Sequence, residues 1–243
     1  MTAPPVLFRD EWLVAVAKPP GLLVHRSDVD RRETRFAVQL VRDALGRPVW
    51  PVHRLDRGTS GVLLFALTPE IASALGRAFE GDAVEKQYVA LVRGWPDAAG
   101  TIDHPLARLD DDTGRDDARA AQPAVTRYER VARLTLDVPD DRHATSRYAL
   151  VALHPRTGRR HQLRRHLKHI AHPVIGDATY GKGRHNRALA ALLDATRLWL
   201  HARTLTFAHP VTEEHVAIDA PLGDDWQRLF ALPGWLDDVS RCA

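Results

Sequence analysis

At 243 residues, 44% hydrophobic and 27% charged, the chain has the make-up of an ordinary globular protein, long enough to bury one large core or two small ones. Its one cysteine, Cys242, excludes a disulfide framework and a cysteine-built zinc site, and no apolar run nears the roughly 20 residues that span a bilayer. The formal charge of +3 hides an uneven distribution: residues 154 to 172 hold six basic residues, five histidines and no acid, while 110 to 117 hold five aspartates and one arginine. The start, Met-Thr-Ala-Pro-Pro, lacks the basic and apolar regions of a secretion signal, so the cytoplasm is the expected location.

In chain order, Val6–Phe8 and Trp12–Val16 predict two strands joined by a turn at Asp10-Glu11. Lys18-Pro19-Pro20-Gly21 interrupts the second, and Leu22–His25 resumes an extended path. Apolar residues at Ala37, Leu40, Val41, Ala44 and Leu45 predict an amphipathic helix closed by Gly46 and Pro48. Gly61–Leu67 is a buried strand. Thr68-Pro69 then caps and starts a helix that runs to about Glu80. Val84–Val92 alternates as a strand. The stretch 96 to 123, rich in Asp, Ala and Gly, reads as an irregular surface excursion.

Strands return at Val125–Tyr128 and Ser146–Leu153. A helix over His161–Ile170 turns Leu163, Leu167 and Ile170 inward, and a short helix covers Asn186–Ala195. Strands at Leu198–Phe207 and Val216–Ile218 precede a last helix near Asp224–Ala231. Strands outnumber helices without regular alternation, which predicts one α+β domain with a large, mostly antiparallel sheet.

The stretch that could carry chemistry is His53-Arg54-Leu55-Asp56-Arg57-Gly58-Thr59-Ser60-Gly61, delivered straight into a buried strand. Arg54 and Arg57 flank one carboxylate and favour its ionised form, as a nucleophile or base requires, although a structural ion pair would look the same. The run Thr157–Leu167 is either a solvated basic helix face or a helix start aimed at phosphates, with Arg164 turned toward a buried carboxylate. Tyr88 is either core or a surface on which a base stacks. His25 and Arg26, after the Pro-Gly turn, are either surface residues or phosphate contacts. The histidines at 161, 166, 169 and 172 sit among cations with no carboxylate close by in sequence, which argues against a metal. Phosphate-binding glycine loops, dinucleotide fingerprints and nucleophile elbows are absent from the sequence.

Four ordered segments then resemble the RluA-type pseudouridine synthases. They are Ala17-Lys18-Pro19-Pro20-Gly21-Leu22, the segment from His53 to Gly61, Lys86-x-Tyr88-x-Ala90-x-Val92-x-Gly94, and Thr157-Gly158-Arg159-x-His161-Gln162-Leu163-Arg164-x-His166-Leu167, continued by His172–Gly181. The resemblance implies the pseudouridine synthase fold, with a cleft across the sheet, and isomerisation of uridine in RNA without cofactor or metal. It implies Asp56 as the catalytic carboxylate, Arg54 in the space left by the flipped base, Tyr88 under the uracil and Arg164 paired with Asp56. Contacts to RNA are expected from His25, Arg26, Arg57, Arg159, Arg165 and Lys168.

Within the family, Leu23–Ser27, Gln122–Tyr128, Arg164–Leu167 and Arg184-x-Asn186-Arg187 are similar to members acting on uridine 65 of tRNA. No small RNA-binding domain of the kind many rRNA-modifying relatives carry is expected before Val6. The expected partner is tRNA and the expected state a monomer. A synthase acting on 23S rRNA or on several RNAs is the alternative. An RNA-binding homologue that has lost catalysis is the alternative of another class, against which Asp56, Tyr88 and Arg164 together speak.

Overall fold

The computed structural model describes residues 2–25, 33–81, 83–109, 116–139 and 143–239. Strands β1 (Val6–Arg9) and β2 (Leu13–Lys18) form a hairpin, its turn tied by Asp10 Oδ1, which accepts the N–H groups of Trp12 and Leu13. Helix α1 (Ala37–Leu45) and a two-residue strand β3 (Trp50–Pro51) lead to β4 (Ser60–Ala66). Helix α2 (Pro69–Glu80) starts where the sequence places it, the Thr68 hydroxyl accepting the Ile71 N–H. There follow β5 (Glu85–Arg93), β6 (Ala99–Asp103), β7 (Leu106–Leu109), β8 (Asp116–Gln122), β9 (Val125–Leu136), β10 (Ser146–Pro155), α3 (Gln162–His169) and α4 (Gly183–Leu193). The last elements are β11 (Leu200–Ala208), β12 (His215–Asp219) and α5 (Asp224–Phe230).

Ten strands make one mixed sheet in the order β1-β2-β4-β11-β5-β10-β9-β6, with β3 beside β4 and β12 beside β11. Its pairs are antiparallel except at β4–β11, where His201 lies opposite Ser60 and Ala202 opposite Gly61. This is the α+β architecture expected from the sequence.

Strand alternation divides the core. Val14, Val16, Leu63 and Phe65 pack with Ala37 and Val41 of α1, whereas Leu13, Ala15, Val62 and Leu64 pack with Leu75 of α2 on the other face. Farther along, Ala90, Val92, Ala149 and Val151 meet Leu163 and Leu167 of α3, while Val89, Leu91 and Leu150 meet α4 and α5 on the opposite face. Tyr88 packs against both the α1 cluster and the α3 cluster. It therefore stands at the seam between them, on the face where those two helices leave the sheet open.

One expectation needs correction. The stretch from 96 to 123 is not irregular: it supplies the outer strand β6 and a separate hairpin, β7 with β8. These strands are short and carry little buried surface, with Ile102, Leu106 and Leu109 as inward anchors, so their periodicity is weak. Leu22–His25 lies outside any strand, and Leu23 makes a single isolated bridge to Phe36. The acidic run 110–117 falls mostly outside the described residues.

Candidate active site

The segment before β4 is fixed residue by residue. His53 stacks on Phe79, ring centroids 4.9 Å apart, and its Nε2 accepts the Leu64 N–H. Burial, with help from the Lys86 charge, lowers its pKa to about 4, so it is neutral and available as that acceptor. Arg54 is exposed and Leu55 is buried in the α1 cluster. Asp56 follows with its side chain 23% exposed. Arg57 turns away to pair with Glu33 and to donate from Nε to the Gly21 carbonyl.

The backbone then closes on itself, the Thr59 N–H donating to the Asp56 carbonyl at 3.0 Å. The Ser60 hydroxyl receives Arg197 Nη2 at 2.6 Å and donates to His201 Nδ1 at 2.8 Å, while His201 Nε2 donates to the Ala220 carbonyl. Gly61, at φ 114°, runs so close to β11 that a Cβ would sit 2.1 Å from the Ala202 carbonyl oxygen. Only glycine meets both conditions.

Lys18 braces this segment from below. It is 1% exposed, and its ammonium donates to the carbonyls of Pro19, Leu22 and Arg57 at 2.9, 2.8 and 3.2 Å. The Gly21 N–H also reaches the Arg57 carbonyl, at 2.8 Å. The Lys-Pro-Pro-Gly turn and the Asp56 turn are thus one stitched unit.

The other half of the site comes from the turn into α3. Gln162 Oε1 accepts from the Thr157 hydroxyl and the Arg159 N–H, and its Nε2 donates to the Val125 carbonyl and the Thr126 hydroxyl. That fixes the Thr-Gly-Arg turn onto β9 and sets the first turn of α3. Arg164, one residue beyond the inward Leu163, is 9% exposed. Its Nη1 lies 3.0 Å from Asp56 Oδ2, while Nε and Nη2 form a fork on Asp177 at 2.7 and 2.9 Å. Burial opposes the Arg164 charge, and the two carboxylates more than compensate, so it is a permanent cation.

Above this pair opens a cavity of about 340 Å3, within the range of small-molecule sites. Arg54, Asp56, Tyr88 and Arg164 all line it, with Arg159 and Arg165 at its basic wall. Burial and the Asp56 charge push the Tyr88 phenol up, so it remains protonated. The β7–β8 hairpin forms a further wall through Leu106, Ala107 and Arg108, held to α3 by Arg165 Nη1 on the Ala107 carbonyl at 2.8 Å.

His25, Arg57 and Lys168 are exposed but do not line the cavity; Lys168 Nζ lies over the Tyr180 ring at 5.7 Å. Arg26 lies outside the described residues. Sequence reasoning gave no site role to Lys18, Lys86, Arg108, Asp177 or Tyr180, and weighed His161 only as a metal ligand. The signal for Lys18 was a lysine closing a run of apolar strand residues, and for Asp177 a carboxylate between two glycines at 176 and 181.

Among the described residues no three His, Cys, Asp or Glu side chains gather as a metal site requires. Two of the four histidines weighed as metal ligands are engaged elsewhere. His166 bridges the Thr126 hydroxyl and the His104 carbonyl, and His172 Nδ1 donates to the Arg93 carbonyl. Among the same residues no helix is long and apolar enough to cross a membrane.

The tRNA pseudouridine synthase C of Haemophilus ducreyi is 48% identical over 95% of this chain and 96% of its own length. That of Vibrio cholerae is 45% identical over 96% of this chain and 97% of its own. Among solved structures, human RNA pseudouridylate synthase domain containing 4 superposes with a TM-score of 0.67 at 28% identity, covering 92% of each chain. Human RNA pseudouridylate synthase domain containing 1 gives 0.68 at 27% identity, covering 90% of this chain and 83% of its own. Residues 12–169, from the turn just before β2 to the end of α3, match the family model for RNA pseudouridylate synthase, and the chain belongs to that family.

Proposed function

We propose that the chain isomerises uridine to pseudouridine in tRNA, at uridine 65, with Asp56 as the catalytic carboxylate. The observation that carries this reading is the Asp56–Arg164 pair, 3.0 Å apart, lining a cavity whose wall includes Tyr88. The tRNA substrate is supported by relatives that carry the name tRNA pseudouridine synthase C and align almost end to end. The position rests on the resemblance of Leu23–Ser27, Gln122–Tyr128 and Arg184–Arg187 to the members that modify it.

A stacked uridine hides C1′ and C5, so the nucleotide turns out of the helix at a cost of a few kcal/mol. Arg54, exposed at the cavity wall, takes the vacated place, and Tyr88 stacks on the uracil. Ionised Asp56 then acts in one of two ways. It attacks C1′, forming an ester-like bond as the N1–C1′ pair of electrons leaves with uracil. Alternatively it removes the C2′ proton, and loss of uracil leaves a glycal. In either case uracil rotates and C5 bonds to C1′. Asp56 departs, or the proton returns to C2′. The C5 proton passes to solvent and N1 takes one up, so the sum is an isomerisation.

Arg164 meets the carboxylate charge throughout. Arg108, Arg159, Arg160 and Arg165 around the cavity offer counter-charges for phosphates, so binding weakens steeply with salt. The active species is expected to be a monomer acting on the tRNA of the cytoplasm.

The test is tritium release from tRNA carrying [5-3H]uridine, together with mapping of pseudouridine in a deletion strain and its complemented control. Asp56→Asn is expected to bind tRNA nearly as well as the parent and to release no tritium. Substantial residual turnover by that variant would overturn the role of Asp56. Loss of a 23S rRNA pseudouridine in the deletion strain, with position 65 of tRNA unaffected, would overturn the substrate.

A further inference from the structure

We infer that His161 is a positioning residue for Asp56, holding the second carboxylate oxygen through an N–H on Nε2 while Tyr180 fixes its ring; the inference rests on the role proposed for Asp56. Asp56 Oδ2 takes the Arg164 bond, and Oδ1 faces His161 Nε2 at 3.9 Å. That gap is too long for a hydrogen bond, but sites without substrate commonly hold such contacts open until the reacting atoms arrive. On the far side of the ring, Nδ1 lies 3.1 Å from the Tyr180 hydroxyl, and the two rings meet edge to face at 5.8 Å. Tyr180 is itself held. Its N–H donates to Asp177 Oδ1, and the Arg164 guanidinium lies over its ring at 5.1 Å.

The charges around the ring choose the tautomer. A lone pair on Nε2 would face the Asp56 carboxylate, which is repulsive; a hydrogen there is attractive. Nδ1 then accepts from the Tyr180 O–H, which makes the ring a fixed donor aimed at Asp56. Burial, with Arg164 and Arg160 adding to it against Asp56 and Asp177, lowers the His161 pKa and keeps the imidazole in this neutral form.

His161 also occupies an unusual backbone state. It precedes α3 with φ 55° and ψ 22°, a left-handed conformation uncommon outside glycine and open chiefly to asparagine, aspartate and histidine. An asparagine here would keep the backbone but would end short of the Nε2 position. If this residue served only to start the helix, asparagine would serve as well. That histidine stands here is explained by the reach of its ring.

The contrast supplies the experiment. Tritium release is measured for His161→Gln, whose side-chain amide reaches the Nε2 position, and for His161→Asn, which suits the backbone but not the reach. Expected is a kcat within about threefold of the parent for glutamine and about 10- to 100-fold lower for asparagine, the range of a hydrogen bond to a charged group. KM for tRNA should stay within about twofold in both. Tyr180→Phe, which leaves the backbone untouched, should lower kcat about 3- to 10-fold by freeing the ring. Equal activity of the two His161 variants, a loss confined to KM, or an unchanged kcat in Tyr180→Phe would each overturn the inference. Asp56→Asn is run beside them: if it remains active, the proposed role of Asp56 fails, whatever the His161 variants do.

Discussion

Arg164 and Asp177 form a two-pronged ion pair in the protein interior, at 2.7 and 2.9 Å, and only the remaining arm of the guanidinium reaches Asp56. Asp177 is the more firmly held member. Its Oδ1 also accepts the N–H groups of Thr179 and Tyr180, and its backbone carbonyl receives the Asn186 side-chain amide. The carboxylate of Asp56 is therefore aligned through a cation whose own position is set 13 residues further along the chain.

Asp177→Asn removes one partner of a buried pair and leaves Arg164 with a single carboxylate. Such a loss costs about 3 kcal/mol or more of stability. It also frees Arg164 to swing, so kcat should fall at least 10-fold while tRNA affinity, set by the cavity wall, changes little. Burial pushes the Asp177 pKa up, but Arg164 and the two backbone N–H groups outweigh it, and the group titrates below its usual 3.8. Its contribution is thus present above about pH 4 and lost as pH falls through the lower folded value. Urea unfolding between about pH 4 and pH 2 should show a shallower acid loss in the variant than in the parent.

Gly61→Ala tests the crossing of β4 and β11. The new Cβ would have to lie 2.1 Å from the Ala202 carbonyl oxygen, and the φ of 114° is hostile to any side chain. The neighbour is backbone in the middle of the sheet, so neither strand yields without breaking its pairing. Destabilisation of about 3 kcal/mol is expected, and a thermal midpoint within a degree or two of the parent would refute it. Gly46→Ala is the control: its φ is 65°, but no atom lies within 4 Å of the added Cβ, so the loss there should be only about 1 kcal/mol.

The contrast between these sites explains how much the sequence revealed. Local rules acted alone at the Thr68-Pro69 cap, the Asp10 turn and the Leu163–Leu167 face of α3, and there the elements begin and end close to where the sequence put them. Rules failed where the tertiary structure supplied the reason. Of the strands between 96 and 123, β6 forms by pairing with β9, and β7 and β8 form by pairing with each other, not because of their own periodicity. Asp56, Tyr88 and Arg164 were legible because they sit in motifs that resemble a family. Asp177 and His161 lie in the same stretches but acquire their roles only through geometry, one as anchor of Arg164 and the other as the ring facing Asp56.

Acid sensitivity should come from histidines buried in neutral form as well as from Asp177. His201, 4% exposed, is lowered to about 4 chiefly by burial, with the Arg197 and Arg203 charges adding to it, and His53 is lowered to about 4 likewise. Both folded values lie below the unfolded value of 6.5, so the unfolded chain binds more protons between them. Stability from these groups is full above about pH 6.5 and is lost as pH falls toward 4, by roughly 3 kcal/mol for each at most. His201→Gln, which retains the span between Ser60 and the Ala220 carbonyl, should flatten the stability profile between pH 6.5 and 4. An unchanged slope would contradict this account.

Lys18 offers the most direct separation of charge from scaffold. Burial brings its pKa down to about 7, against the attraction of Asp56 and with the repulsion of Arg197. Because the folded value lies below the unfolded 10.5, the unfolded chain holds more protons from pH 7 to 10.5, and this group makes stability rise with pH across that window. Lys18→Met keeps the length of the side chain but has neither the charge nor the donors for Pro19, Leu22 and Arg57. Two results are expected together. The rise in unfolding free energy between pH 7 and 10 should be shallower in the variant, because the titrating group is gone. At pH 7 kcat should be about 10-fold lower, because the Arg57 carbonyl next to Asp56 has lost its lysine tether, while KM for tRNA stays near the parent value. A variant with the parent's pH slope would show that Lys18 does not titrate in the folded protein, and one with the parent's kcat would show that the Lys-Pro-Pro-Gly turn does not hold Asp56 in place.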